Sequence, residues 1–277
     1  MNSKLHLTVV ASLAALTAPA HASTIAYWAF EDGPAGSTPA TVLNSANPGF
    51  LDGATSASGT RQLNANVVAP AIWDPVTSSY TNNSNTTSIL FGGGGKVFIP
   101  FDAALEPGQF SIEFFMFAGA QGGFPGIVEK PKVGGGTATG PGVTTWGLGK
   151  NNSEFAFMRI DGPTAFNLTN SAGPSTADGQ WHHFALTYDG AAARLYRDYT
   201  LLATRTTALD YDGLTGLVFG GGASGGSFQN YAGLVDEIRF SHVALLPSQF
   251  LQAVPEPSRP LALAAAALLL IPRRGRI

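Results

Sequence analysis

The 277-residue sequence contains no cysteine. That excludes a disulfide framework, a thiolate metal site and a cysteine nucleophile, so stability has to come from an apolar core, which a chain of this length is able to build. A basic excess is missing too. Setting aside the terminal segments 1–22 and 255–277 removes Glu256 and five basic residues (Lys4, Arg259, Arg273, Arg274, Arg276), leaving 17 acidic and 10 basic side chains, net −7. Such a surface repels phosphate backbones, which argues against nucleic-acid binding. The chain also lacks an apolar run of the ~20 residues that span a bilayer. Before its C-terminal tail it shows no long apolar period of 3.6, and it has no internal repeat.

What it has instead is β texture. Runs rich in β-branched and aromatic residues recur between Gly, Pro, Asn and Ser clusters. They include IAYWAF (25–30), KVFIPF (96–101), FSIEFFMF (110–117), GIVEK (126–130), TTWGLG (144–149) and EFAFMRI (154–160). WHHFALTY (181–188), ARLYRDY (193–199), LLATRT (201–206), GLVFGG (216–221) and GLVDEIRF (233–240) follow, and a helical turn is expected near 245–251. Many strands with turn signals every few residues predict an all-β, two-sheet antiparallel jelly-roll sandwich. FSIEFFMF is apolar on both faces, as a strand covered on both sides must be. Residues 38–88 read mostly as surface loop, with TSASGT and YTNNSNTTS polar and two short strands expected around LNANVVAP and AIWDP.

The ends carry addresses. Lys4, an apolar stretch from Leu5 to Leu16 and the Ala20-His21-Ala22 pattern form a secretory signal peptide, residues 1–22, cut after Ala22. At the other end Pro255-Glu256-Pro257 precedes an apolar segment and then Arg273, Arg274 and Arg276. This order resembles the PEP-CTERM sorting signal of Gram-negative bacterial exoproteins. The resemblance implies a hydrophobic sorting helix within 253–277, transient membrane association, and an exosortase as export partner. The apolar run is shorter than usual for that signal. The expected destination is the cell envelope, cell surface or extracellular matrix.

Between the addresses, residues 23–252, the stretch WHHFALTYDGAAARLYRDYTLLAT (181–204) resembles the signature hairpin of LamG-like jelly-roll domains of the concanavalin A-like lectin/glucanase superfamily. Tyr199 stands where that hairpin usually has glycine, so its second turn is expected to differ. Tyr27-Trp28-Ala29-Phe30-Glu31-Asp32-Gly33 resembles the first strand and Gly233 to Phe240 the last, with Leu245 to Phe250 as the closing turn. Asp189-Gly190 reads as the two-residue turn between the paired strands. First and last strands of a jelly roll lie side by side, which would bring Glu31 and Asp32 near Asp236. The resemblance implies a structural calcium there, since calcium takes six to eight oxygens; Asn44 replaces a frequent aspartate and lowers the ligand charge. The alternative is that Asp236 and Glu237 cap the sheet and pair with Arg239 or Arg194.

Other constellations are weaker. His182 and His183 alternate across a strand and cannot chelate one ion together. Gly222-Ala223-Ser224-Gly225-Gly226 fits G-x-S-x-G but lacks the strand–helix setting of a nucleophile elbow. Gly92 to Lys96 fails as a phosphate loop, because Leu90 and Val97 occupy required glycine and hydroxyl positions. Glucanases of this fold carry alternating carboxylates on one strand, and no such segment occurs here. The expectation is therefore a noncatalytic exported protein that binds a glycan or matrix partner, with a polysaccharide-active enzyme and a purely structural surface protein as alternatives. Trp73 and Trp146 are candidate sugar platforms, with Tyr80 and Phe124 beside them, or else packing residues.

Overall fold

The computed structural model describes residues 24–254 except 57–58, 64–66, 83, 93, 133–143, 154–155, 162–167, 171–172 and 223–228. The signal segment, Ser224 of the glycine-rich loop, and the sorting residues Pro255, Glu256, Pro257, Arg273, Arg274 and Arg276 lie outside the described residues.

The strands in chain order begin with β1 (Thr24–Trp28), β2 (Thr41–Val42), β3 (Gly53–Ser56), β4 (Gly59–Leu63), β5 (Ala71–Asp74), β6 (Ser79–Asn82) and β7 (Thr87–Gly92). Next come β8 (Lys96–Ile99), β9 (Phe110–Ala118), β10 (Gly126–Pro131), β11 (Thr144–Lys150), β12 (Ala156–Ile160) and β13 (Leu168–Asn170). The last are β14 (Trp181–Tyr188), β15 (Ala192–Arg197), β16 (Thr200–Thr206), β17 (Leu217–Phe219), β18 (Ala232–Ser241) and β19 (Gln252–Val254). Two large antiparallel sheets form the expected all-β sandwich. The front sheet runs β16-β15-β14-β9-β18-β7-β4 with β1 also on β18, and the back sheet runs β13-β12-β11-β10-β17-β8-β3-β2.

The core lies between them. Phe110, Ile112, Phe114 and Met116 alternate along β9 and face Trp146, Leu148, Met158 and Ile160 of the back sheet, all buried in one cluster. Phe110 stacks on Trp146 at 4.9 Å and on Phe240 at 5.8 Å, while Trp28 meets Phe219 edge-on at 5.0 Å. Each such side chain contributes about 1.5–3 kcal/mol by leaving water.

A third, small sheet, β19-β5-β6, was not foreseen. With the chain that follows the 3-10 turn Pro247–Gln249, it covers the outer face of the front sheet. This explains why FSIEFFMF is apolar on both sides: Phe115 packs outward against Tyr27, Ala29, Ile72 and Leu251. The stretch 38–88 departs most from expectation. Strands β3, β4 and β6 lie where surface loop was expected, because their ladders are made by backbone groups that polar sequences supply as well as apolar ones. The fold also passes the expected boundary at 252, since Gln252 pairs with Trp73 and Val254 with Ala71.

Both turns of the signature hairpin are tight. In the first, Asp189 N donates to Ala192 O, so the central residues are Gly190 and Ala191 rather than Asp189 and Gly190. Gly190 takes φ +95°, and the Asp189 carboxylate caps Ala191 N and Ala192 N. In the second, Arg197 pairs with Thr200, and Asp198 and Tyr199 both take positive φ, 45° and 67°. Two positive φ values are what a type I′ turn needs, and the glycine usual at its second position is replaced here by a working tyrosine.

Candidate functional site

The two strands expected to meet do so: β1 lies on β18 with Tyr27 opposite Arg239 and Trp28 opposite Ile238. Of the carboxylates near them, Glu31 comes close enough to Asp236 for its charge to act on it, but each is committed to its own donors and Asp32 stands apart. Glu31 accepts from Thr86 N at 2.7 Å, Thr86 Oγ1 and Thr87 N at 2.5 Å, and Thr87 Oγ1 at 3.1 Å. Asp32 is exposed and accepts from Leu43 N at 2.7 Å. Asp236 is fully buried, and its Oδ2 accepts from Asn85 Nδ2 at 3.0 Å. Asn44 spends its side chain on Tyr27 N, Ala46 N, Ile25 O and Phe50 O. Among the described residues no three His, Asp or Glu gather into a set able to hold a metal ion. The oxygens of Glu31, Asp32 and Asp236 do not fit the six-to-eight-ligand shell of calcium.

Arg239 pairs with neither Asp236 nor Glu237, and Arg194 pairs with Asp189 at 2.7 Å. Instead Arg239 centres a buried cluster that sequence reasoning missed. Its Nε donates to Glu113 Oε1 at 2.7 Å, its Nη2 to Gln249 O at 2.7 Å, and its Nη1 lies 2.7 Å from Asp74 Oδ1. Glu113 Oε2 accepts from Leu251 N at 2.8 Å and bonds His183 Nε2 at 2.8 Å. Burial alone would raise the Glu113 carboxyl, but Arg239, His183 and the Leu251 N–H outweigh it and hold it below its ordinary value. The signal was present: Glu113 is a lone charge in a strand apolar on both faces, and a buried charge requires partners. The cluster joins β9, β14 and β18 to β5 and to the C-terminal strap.

His182 and His183 part company, as alternation requires. His183 is buried in that cluster, and Tyr199 stacks on it at 4.9 Å and 13° while donating its hydroxyl to Leu251 O at 3.1 Å. The positive-φ tyrosine thus fastens the same strap. His182 lies between Asp198 (2.7 Å) and Asp178 (2.9 Å) near the surface.

The two tryptophan candidates separate as well. Trp146 is fully buried between Phe110 and Phe240, so it is a core residue and offers no platform. Trp73 is half-buried and meets Tyr80 edge-on at 5.3 Å. Tyr80, 49% exposed, stands at the rim of an open cavity of about 270 Å³ between β1, β18 and the β5–β6 hairpin. Thr24, Thr77, Ser79 and Thr81 supply hydroxyls to its wall. Buried Tyr27, Asp74 and Arg239 form its floor, which is one edge of the ion cluster. Asp74 is the one carboxylate and Arg239 the one cation among the lining residues.

Other buried carboxylates of the back sheet are committed. Glu129 accepts from Thr144 Oγ1 at 2.5 Å, and Asp161 takes Arg159 Nε at 2.9 Å, all four side chains fully buried. The phosphate-loop lookalike ends in Lys96, whose ammonium donates to Gly222 O rather than facing a loop of free N–H groups.

Comparison with solved structures places this architecture. Over 82% of the chain, domain 4 of AbnA, a GH43 extracellular arabinanase from Geobacillus stearothermophilus in complex with arabinotriose, superposes with TM-score 0.51 at 15% identity, and 96% of that chain is covered. The binding domain of botulinum neurotoxin DC in complex with SialylT gives TM-score 0.51 at 12% identity over 81% of this chain. A Trypanosoma rangeli sialidase in complex with sialic acid gives 0.53 at 14% identity, also over 81%. The chain spans 49% of the neurotoxin chain and 31% of the sialidase chain, so these likenesses establish the fold alone. No curated protein matches the sequence. The family model for the concanavalin A-like lectin/glucanases superfamily matches residues 91–249, more than half of the sequence. By that match and by its two facing sheets, the chain belongs to the concanavalin A-like lectin/glucanases superfamily.

Proposed function

We propose that the protein is an exported, noncatalytic glycan-binding component of the cell envelope or extracellular matrix, handed over by an exosortase that reads the tail from Pro255 to Arg276. The observation that carries the binding reading is the cavity under Tyr80: an exposed aromatic, a wall of hydroxyls and a single carboxylate. Glycoside hydrolysis by the usual route needs two carboxyl groups flanking the scissile bond, and this cavity supplies one. Recognition of a sugar needs an aromatic face and a few fixed polar groups, which are at hand. Neighbouring folds solved with arabinotriose and sialic acid support carbohydrate as the ligand class.

A glycan array tests this directly. Binding is expected with and without a calcium chelator, because no ligand set for calcium is assembled among the described residues. Silence under both conditions would overturn the glycan reading, and release of reducing ends from a bound polysaccharide would overturn the noncatalytic one. Deleting residues 254–277 is expected to change how the protein partitions between membrane and medium; unchanged partition would sink the sorting assignment.

A further inference from the structure

We infer that the cavity seats a single uncharged sugar ring and rejects acidic sugars, an assignment that rests on the glycan-binding reading above. Size comes first. At about 270 Å³ the cavity sits at the small end of ligand pockets, which run roughly 300–1,000 Å³. One ring fills it, and the rest of a glycan leaves through the open mouth.

The polar groups then select the ring. Asp74 is 2% exposed, and its Oδ1 accepts from Val76 N at 2.8 Å and lies 2.7 Å from Arg239 Nη1. Its Oδ2 takes no hydrogen bond among the described residues. A carboxylate oxygen is an acceptor only, so the group that completes it is a donor such as a sugar hydroxyl or an N-acetyl N–H. Arg239 cannot turn to greet an anion. Its Nε and Nη2 are fixed on Glu113 Oε1 and Gln249 O, both at 2.7 Å, and its Nη1 lies 2.7 Å from Asp74 Oδ1 without a hydrogen bond. No second cation lines the cavity, so one positive charge already faces the carboxylates of Glu113 and Asp74. A sugar carboxylate would be a third anion beside the single Arg239 charge that Glu113 and Asp74 already share, which disfavours binding.

Tyr80 supplies the remaining element. Its ring is half exposed, and Trp73 supports it edge-on at 74°, so one face is available to the C–H side of a pyranose. Behind it Tyr27 Oη and Thr81 Oγ1 hold each other at 2.8 Å and fix the hairpin that carries the rim.

Saturation-transfer NMR on the full chain decides the matter. The probes are glucose, galactose, mannose and N-acetylglucosamine as neutral sugars, with glucuronic acid and N-acetylneuraminic acid as acidic ones. At least one neutral sugar is expected to bind with Kd of order 1 mM, as a one-ring ligand does. Tyr80→Ala is expected to weaken it at least tenfold with melting unchanged, and Tyr80→Phe to keep it. Absence of signal from every neutral sugar, equal signal from the acidic ones, or an undiminished Tyr80→Ala response overturns the assignment. The two readings fail differently. An array that binds but ignores Tyr80→Ala removes this site alone, whereas a silent array removes glycan binding itself.

Discussion

Strand β18 holds two opposite treatments of buried charge three residues apart. At Arg239 the charge is kept. Glu113, Asp74, Gln249 and Leu251 meet it or its partner with donors and acceptors, and burial is outweighed. At Asp236 and Glu237 burial works against it. Burial pushes both carboxyls well above their ordinary values, with the Glu31 charge adding to it at Asp236; Asn85 and Val68 lower Asp236 only in part, and both Glu237 oxygens are buried with no hydrogen-bond partner among the described residues. The backbone explains the difference. β18 pairs with β7 through Val235 and with β1 from Ile238, and its register on β9 shifts between Asp236 and Arg239. Glu237 lies in that fork with φ +56°, at the bulge where the ladder between β18 and β9 is interrupted. A carboxyl survives burial by finding donors or by holding its proton, and which route it takes is decided by the strand ladder around it.

The largest effect comes from breaking the kept charge. Arg239→Met leaves Glu113 and Asp74 buried without their cation and is expected to cost about 3–5 kcal/mol. Urea denaturation measures it. The paired change Glu113→Leu with Arg239→Met removes both sides and is expected to cost less than Arg239→Met alone. If the single and double variants lose the same amount, the cluster is not a charge-balanced unit.

Glu237 predicts the opposite pH slope. Its folded pKa is raised, so the folded state holds the proton to higher pH than the unfolded chain, which releases it near the ordinary ~4.3. The stability of the native protein is therefore whole below that value and falls as pH rises through the folded pKa. Glu237→Gln abolishes this loss. The variant is expected within about 1 kcal/mol of the native protein at pH 4 and progressively ahead of it toward pH 7. Glu113 has the reverse sign, its stabilisation present above ~4.3 and lost as pH falls. Denaturation of native and variant protein at pH 4, 5.5 and 7 reads the slope, and a constant difference would mean that Glu237 is ionised or reaches water.

Much of this was legible in the chain, and the reason for each success or miss is physical. The β-branched and aromatic runs FSIEFFMF and WHHFALTY exposed the central strands, because strands covered on both faces are written as near-continuous apolar runs between turn signals. The adjacency of β1 and β18 followed from the family resemblance of their motifs. The small sheet did not show, because Ser79 to Asn82 is polar and its pairing with β5 is made by backbone groups that any sequence supplies. Trp146 and Trp73 look alike in sequence, and only the fold leaves one fully buried on β11 and the other half-buried on β5 beneath Tyr80. The Tyr80 cavity needs Arg239 and Asp74 brought together from 165 positions apart, a juxtaposition that no local pattern encodes.

The smallest expected effect is a surface version of the same comparison. His182 is 13% exposed, between Asp178 and Asp198 at 39% and 48%. Burial works against its charge, yet hydrogen bonds to the two aspartates raise its pKa, and theirs are lowered in return. The sign is that of a cation with partners: stabilisation is full below the ordinary ~6.5 and is lost as pH climbs through the raised folded value. The aspartates lose their share only below ~3.8. His182→Asn is therefore expected to cost at most about 1 kcal/mol between pH 4 and 6.5, because solvent screens pairs this exposed, and to cost less as pH rises toward 9. Parallel melts of native and variant protein across that range give the difference curve. A cost that stays constant to pH 9 would mean that a neutral imidazole braces the Asp198-Tyr199 turn by hydrogen bonding. Holding charge would then be a property of the Arg239 cluster and not of the pairs at the surface.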